Sequence, residues 1–294
     1  MRMPWEDESG PMNIRQIEIK IGLANPVKLL HVSDTHLSFA DGRDNRRKRS
    51  LAERRRVTFG DENDRCRRFL REAVQYAQDS GALLVHTGDL IDFVSHQNLD
   101  IAKDILGASD YFFVPGNHEF SKYVGEAEET EAYKMGSLPL VQSHFRDDLR
   151  FCSRVAGGVN LVGIDNVYYH MYADQFERLK AEAARGLPIL LLMHTPLYTP
   201  ELFHEMTVTR GEATADIMGC PEELMRNYSP ERYAQQAAAP LDFEIIEYIK
   251  TQPLVKSVLA GHLHFFHQSA LRGGVTQYIA GGGFQGEAIE YMLR

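Results

Sequence analysis

VKLLHVSDTH, residues 27–36, decides how the rest of this chain is read: an apolar-rich run breaks at once into a polar cluster carrying Asp34 and His36. A short apolar run bounded in this way reads as a buried strand. The same grammar recurs at LLVHTGDLID (83–92), YFFVPGNHE (111–119), ILLLMHTP (189–196) and VKSVLAGHLH (255–264). The predicted strands fall at 27–32, 82–86, 111–114, 159–164, 188–193 and 255–260, with helical patterns between them at about 63–79, 97–106, 173–185 and 241–251. Strands alternating with helices predict an α/β fold with parallel strands. After Gly261 the pattern changes to short strands with glycine turns, ending at 278–283 and 288–293.

With 294 residues, 44% of them hydrophobic, the chain can bury a substantial core, and we expect one domain over 1–294. Two segments break the rhythm and read as insertions. Residues 39–60 are dense in arginine and read as a basic loop, whereas 196–240, punctuated by Pro200, Gly211, Gly219, Pro221 and Pro230, reads as a lid or cap over the site. The net charge of -9 argues against broad nucleic-acid affinity. Cys66, Cys152 and Cys220 are few and widely spaced, the N-terminus is polar, and the longest apolar run, 187–193, is too short to span a bilayer. These features predict a cytoplasmic protein without disulfides or membrane contact.

In open α/β sheets the carboxyl ends of the strands share one edge, so side chains distant in sequence converge there. Asp34, His36, Asp89, Asn117, His194, His262 and His264 would then meet. Carboxylate, amide oxygen and imidazole together suit manganese, iron, zinc, cobalt or magnesium, with manganese and iron placed first. The set is too large for a single four-coordinate ion. Two divalent ions about 3.5–4 Å apart need a bridging carboxylate and further ligands on each. Gly88, Gly116 and Gly261 precede three of the donors and would let the backbone turn sharply toward an ion.

Taken in order, Asp-x-His, Gly-Asp-x-x-Asp, Gly-Asn-His-Glu, a lone His and Gly-His-x-His resemble the calcineurin-like metallophosphoesterase superfamily from Asp34 to His264. The resemblance implies a four-layer α/β/β/α sandwich, two mixed sheets flanked by helices, with a dinuclear centre at one edge. It implies that Asp34, His36 and His264 hold one metal, that Asn117, His194 and His262 hold the other, and that Asp89 bridges them. A metal-activated hydroxide would be the nucleophile. His118 would contact the phosphate and donate a proton to the leaving alcohol, and Asp92 would orient it. The arginines flanking these motifs in protein Ser/Thr phosphatases are replaced here by Phe93 and Pro115, and Asp92 stands where purple acid phosphatases carry a tyrosine. Both subfamilies are therefore disfavoured.

The resulting expectation is a metal-dependent phosphoesterase acting on a phosphomonoester or diester, with a phosphate-ester small molecule or nucleotide as substrate. Its rivals are a nuclease of the same superfamily and a non-catalytic scaffold that retains the fold. Arg43, Arg46, Arg47, Lys48, Arg49, Arg54, Arg55 and Arg56 read either as a solvated loop or as a patch steering an anionic substrate. Tyr168, Tyr169 and His170 read as pocket lining or as packed loop aromatics, and His31 and His86 as hydrogen-bonded core histidines.

Overall fold

The computed structural model of the chain describes residues 10–61, 63–125 and 128–294. One sheet holds β1 (Asn13–Ile19), β2 (Val27–Val32), β3 (Leu83–His86), β4 (Tyr111–Phe113) and the last strand, β11 (Glu287–Leu293), in the order β1-β11-β2-β3-β4. Strands β2, β3 and β4 are parallel, and β11 runs antiparallel to β2. The other sheet holds β5 (Phe151–Ala156), β6 (Val159–Ile164), β7 (Ile189–Leu192), β8 (Val255–Ala260), β9 (His267–Ala270) and β10 (Thr276–Ile279) in the order β5-β6-β7-β8-β10-β9. Its centre is parallel, and its edge strands β5 and β9 are antiparallel to their neighbours.

The helices are α1 (Arg46–Thr58), α2 (Arg65–Ser80), α3 (His96–Gly107), α4 (Glu131–Gln142), α5 (Ala173–Ala183), α6 (Pro200–His204), α7 (Pro230–Gln236) and α8 (Pro240–Thr251). Strand alternation puts successive side chains into different cores. Leu190 and Leu192 of β7 pack between the sheets with Leu29, Val85 and Phe112, while Ile189 and Leu191 face Phe176 and Leu179 of α5 and Ile245 and Ile249 of α8. On the other side Leu30, Leu84 and Phe113 meet Leu70 and Ala73 of α2 and Leu99 and Leu106 of α3. The layers are therefore α/β/β/α, two mixed sheets between helices.

Residues 39–60 are not a basic loop, because Arg46–Thr58 within them is helical. Only Leu51 and Ala52 of α1 are buried, so no apolar stripe announces it. Its start is fixed by the Asn45 side chain, which accepts from the Lys48 N–H at 2.9 Å. Two of its arginines pair with acids outside the helix, Arg55 with Asp92 and Arg56 with Asp64, and nearby Arg43 pairs with Asp41 and Asp100. Strands β1, β5 and β9 also went unread, since each alternates exposed and half-buried positions with few buried apolar residues.

Segment 196–240 carries α6 and α7 and contributes Leu197, Leu202, Met206, Ala215, Ile217 and Met218 to the outer core of the second sheet. The three cysteines are buried free thiols. Among the described residues no helix is long and apolar enough to cross a membrane.

Candidate metal centre

Asp34 and His36 follow β2, Asp89 and Asp92 follow β3, Asn117 and His118 follow β4, His194 follows β7, and His262 and His264 follow β8. The carboxyl edges of both sheets thus meet at one place. Asp34, His36, Asp89, His262 and His264 all take left-handed backbone, with φ between 52° and 74°. Non-glycine residues hold that conformation at a cost, and surrounding bonds must enforce it. Asp34 N–H donates to Gly88 O and His36 N–H to Asp89 O, both at 2.9 Å, lacing the two loops together.

Glu119 completes the lacing. Its buried carboxylate accepts from the backbone N–H groups of Asp89, Leu90, Ile91 and Gly116 at 2.6 to 3.0 Å. Burial, with Asp89 nearby, pushes its pKa up to about 7, and the N–H donors work against that rise. Sequence reasoning quoted Glu119 inside a motif and gave it no task. Of the three motif glycines only Gly88 has a positive φ, 95°. Gly116 and Gly261 are small for another reason: a Cβ there would overlap the Asp89 carboxylate or the Ser33 and Asp34 side chains.

The donors collect in two groups that share Asp89. Asp34, His36, Asp89 and His264 form one, and Asp89, His194 and His262 the other, each with ligand atoms within 4.8 Å of one another. His36 Nε2 lies 3.0 Å from His264 Nε2 and 3.8 Å from Asp89 Oδ2. His194 Nε2 lies 3.1 Å from His262 Nδ1 and 3.3 Å from Asp89 Oδ2. The outer nitrogens are committed as donors: His36 Nδ1 to Asp92 Oδ1 at 3.2 Å and His194 Nδ1 to the Thr87 carbonyl at 2.7 Å. A neutral ring that donates outward presents a lone pair inward. Burial depresses the pKa of His36, and burial together with His194 brings that of His262 down to about 4. At His194 burial also disfavours the charged ring, but Asp89 outweighs it and raises the pKa to about 9, so a cation there must displace a proton.

Imidazole nitrogens meeting nose to nose about a shared carboxylate are a poor arrangement for hydrogen bonding and a good one for divalent cations. The Oδ1 atom of Asn117 is likewise buried without a hydrogen-bond partner, as an amide oxygen kept for a cation would be. The donor set therefore fits a metal pair.

Beside the two groups stands His118. Its Nδ1 lies 2.7 Å from the Asp92 carbonyl oxygen and 3.2 Å from Asp92 Oδ1, and its Nε2 lies 4.0 Å from Asp89 Oδ2. Burial disfavours the charged ring, but Asp89 and Asp92 outweigh it and raise its pKa to about 10. Asp92 is gripped by Arg55 through two bonds of 2.6 and 2.8 Å. Phe59 stacks on His36 with centroids 4.3 Å apart, and Phe284 meets His264 edge-on at 5.3 Å. Arg55 and Phe59 stood inside the presumed loop, and Phe284 among glycines, so neither pattern singled them out.

Residues 27–266 match the family model for calcineurin-like phosphoesterases. The chain belongs to that family. No curated protein matches it in sequence. Among solved structures, a dimetal phosphatase from Danio rerio is similar at 14% identity, with 89% of each chain covered and a TM-score of 0.52. A 5'-nucleotidase described as putative, from Staphylococcus aureus, aligns at 13% identity and TM-score 0.46, covering 88% of this chain and 49% of that one. A phosphopantetheinyl hydrolase from Mycobacterium tuberculosis aligns at 13% identity and TM-score 0.42, covering 88% and 90%. At 14% identity the likeness to the dimetal phosphatase concerns the fold alone.

Proposed function

We propose that this protein hydrolyses a phosphate ester by in-line attack of hydroxide at a dinuclear metal centre. Asp34, His36 and His264 would hold one divalent cation, Asn117, His194 and His262 the other, and Asp89 both. The observation that carries this reading is the pair of inward-facing imidazole contacts, 3.0 and 3.1 Å, arranged about one carboxylate. Such cations, manganese or iron first among the candidates, lower the pKa of bound water toward about 7 and offset charge on phosphate oxygens.

The remaining work falls to side chains. With Nδ1 on Asp92, His118 keeps Nε2 toward the site, where it can give a proton to a leaving alcohol. Asp92 favours the charged ring and fixes its orientation, and Arg55 fixes Asp92. Phe59 shields His36 from water, and Phe284 packs edge-on against His264, which stays partly exposed.

Manganese titration followed by elemental analysis, with hydrolysis of nitrophenyl phosphate and bis-nitrophenyl phosphate measured on the same samples, tests the reading. Two equivalents of metal and turnover of at least one ester are expected. Failure to bind metal stoichiometrically would refute it. Two bound metals and inertness over a broad ester panel would revive the scaffold, and cleavage of single-stranded DNA in preference to nucleotide monoesters would indicate a nuclease.

A further inference from the structure

A cavity of about 360 Å³ opens beside the centre, with Asn117, His118 and His262 in its wall. Segment 196–240 supplies much of the opposite side through Met206, Glu212, Asp216 and Arg232. Among the described lining residues, the side away from the centre sets the carboxylates of Glu129, Glu212 and Asp216 against the guanidinium of Arg232, and the charged ring of His118 stands on the side of the centre. That guanidinium already lies 3.7 Å from Glu129 and donates to Gln235 Oε1 at 2.5 Å. A wall of this sign repels a second anion and attracts hydrogen-bond donors.

Tyr168 lines the same cavity at 5% exposure. The turn that carries it is held firmly: Asp165 accepts from the Val167 N–H at 3.1 Å and from the fully buried Lys134 ammonium at 2.9 Å. A second cavity, of about 260 Å³, flanks the centre on the His264 side between Arg15 and Arg210, and His118 takes no part in its lining. The group assigned to protonate the departing oxygen therefore belongs to the acidic cavity.

We propose that this acidic cavity receives the alcohol half of a phosphomonoester and selects a compact alcohol rich in hydroxyl or ammonium donors over one bearing a second anion. The proposal rests on the phosphoesterase reading and narrows its substrate class. A volume at the small end of ligand sites suits a sugar-sized alcohol.

The test compares kcat/KM of the manganese-loaded protein for glycerol phosphate and phosphoglycerate, which differ in a terminal hydroxymethyl against a carboxylate. We expect a preference of about tenfold or more for the glycerol ester, in line with one unfavourable charge contact. The Glu212→Gln and Asp216→Asn double variant should reduce that preference about fivefold or more. Asparagine tolerates the left-handed backbone found at Asp216, φ 50°. Should the melting curve show the double variant unfolded, Glu212→Gln alone, at an exposed position, carries the comparison. Equal rates for the two esters, or an unchanged preference in the folded variant, overturn the proposal. Turnover of nitrophenyl phosphate with neither compact ester accepted also overturns it and leaves the phosphoesterase reading standing. Turnover of no ester at all defeats both.

Discussion

The two histidine pairs of the centre share a spacing, 3.0 Å for His36 and His264 and 3.1 Å for His194 and His262, but they are backed in different ways. Behind the first pair runs a charged relay, His36 to Asp92 to Arg55, with the Phe59 ring flat on the imidazole. Behind the second pair His194 donates to the Thr87 carbonyl, and His262 Nε2 faces the Tyr169 hydroxyl at 3.4 Å. A backbone carbonyl keeps its place through any side-chain substitution and any pH. A carboxylate held by an arginine on a polar helix depends on both. One half of the centre is therefore fixed by the sheet itself, and the other is tuned by side chains.

Asp89 belongs to both halves, so its removal should erase the distinction. Asp89→Ala is expected to lose both metals and activity on the order of 10³-fold or more, read by elemental analysis and nitrophenyl phosphate turnover. One metal retained at full occupancy would show the halves to be independent.

The His118 ring makes its hydrogen bond on the Asp92 side, while its backbone N–H donates to Asp89 at 2.9 Å. His118→Asn should keep both metals and slow alkyl esters by roughly 10²–10⁴, with nitrophenyl esters slowed less because their leaving group needs no proton. Equal slowing of both ester types would remove His118 from proton transfer.

Arg55→Met separates the halves directly. It should weaken one manganese site by about 10–100-fold, as the loss of an outer-shell partner does, and spare the other. Equal weakening of both sites in a calorimetric titration would break the contrast.

Under the site, His31 and His86 are fully buried, with Nε2 atoms 2.8 Å from Thr87 Oγ1 and 3.0 Å from Thr35 Oγ1. Burial lowers the pKa of each from 6.5 to about 3. The unfolded chain takes up these protons below about 6.5 and the folded chain does not, so stability is full above that pH and falls on acidification, by roughly 1.4 kcal/mol per pH unit for each ring. Glu119, raised to about 7, works in the opposite direction over the same range. The check is therefore the difference between two sets of denaturant melts of chelator-treated protein from pH 7 to pH 5: His86→Gln should remove one ring's share of the slope. The smallest effect is expected for Tyr169→Phe, which removes two long contacts, to His262 at 3.4 Å and to Asp216 at 3.5 Å. It should change metal affinity less than about threefold, and a larger loss would mean that the second pair is tuned by side chains too.

The centre was legible because its donors sit at strand ends, where an apolar run stops abruptly and the polar residue that follows has one place to go. Central strands such as β2, β6 and β8 begin and end where their apolar runs do. The edge strands β1, β5 and β9 and the helix α1 were not legible, since burial is partial along them and no continuous apolar run marks them. Arg55 illustrates the limit: within its own run it is one arginine among many, and only folding sets its guanidinium against Asp92.

By itself, then, the sequence determined the α/β class, the parallel runs β2 to β4 and β6 to β8, and the identity of the side chains that gather at the edge, because strand burial and motif chemistry are local properties of the chain. Tertiary structure alone decided how those side chains divide about Asp89, which nitrogen of each ring turns inward, and which insertion walls the cavity beside His118. These depend on through-space distances of a few ångströms between residues far apart in sequence, and no local pattern encodes them.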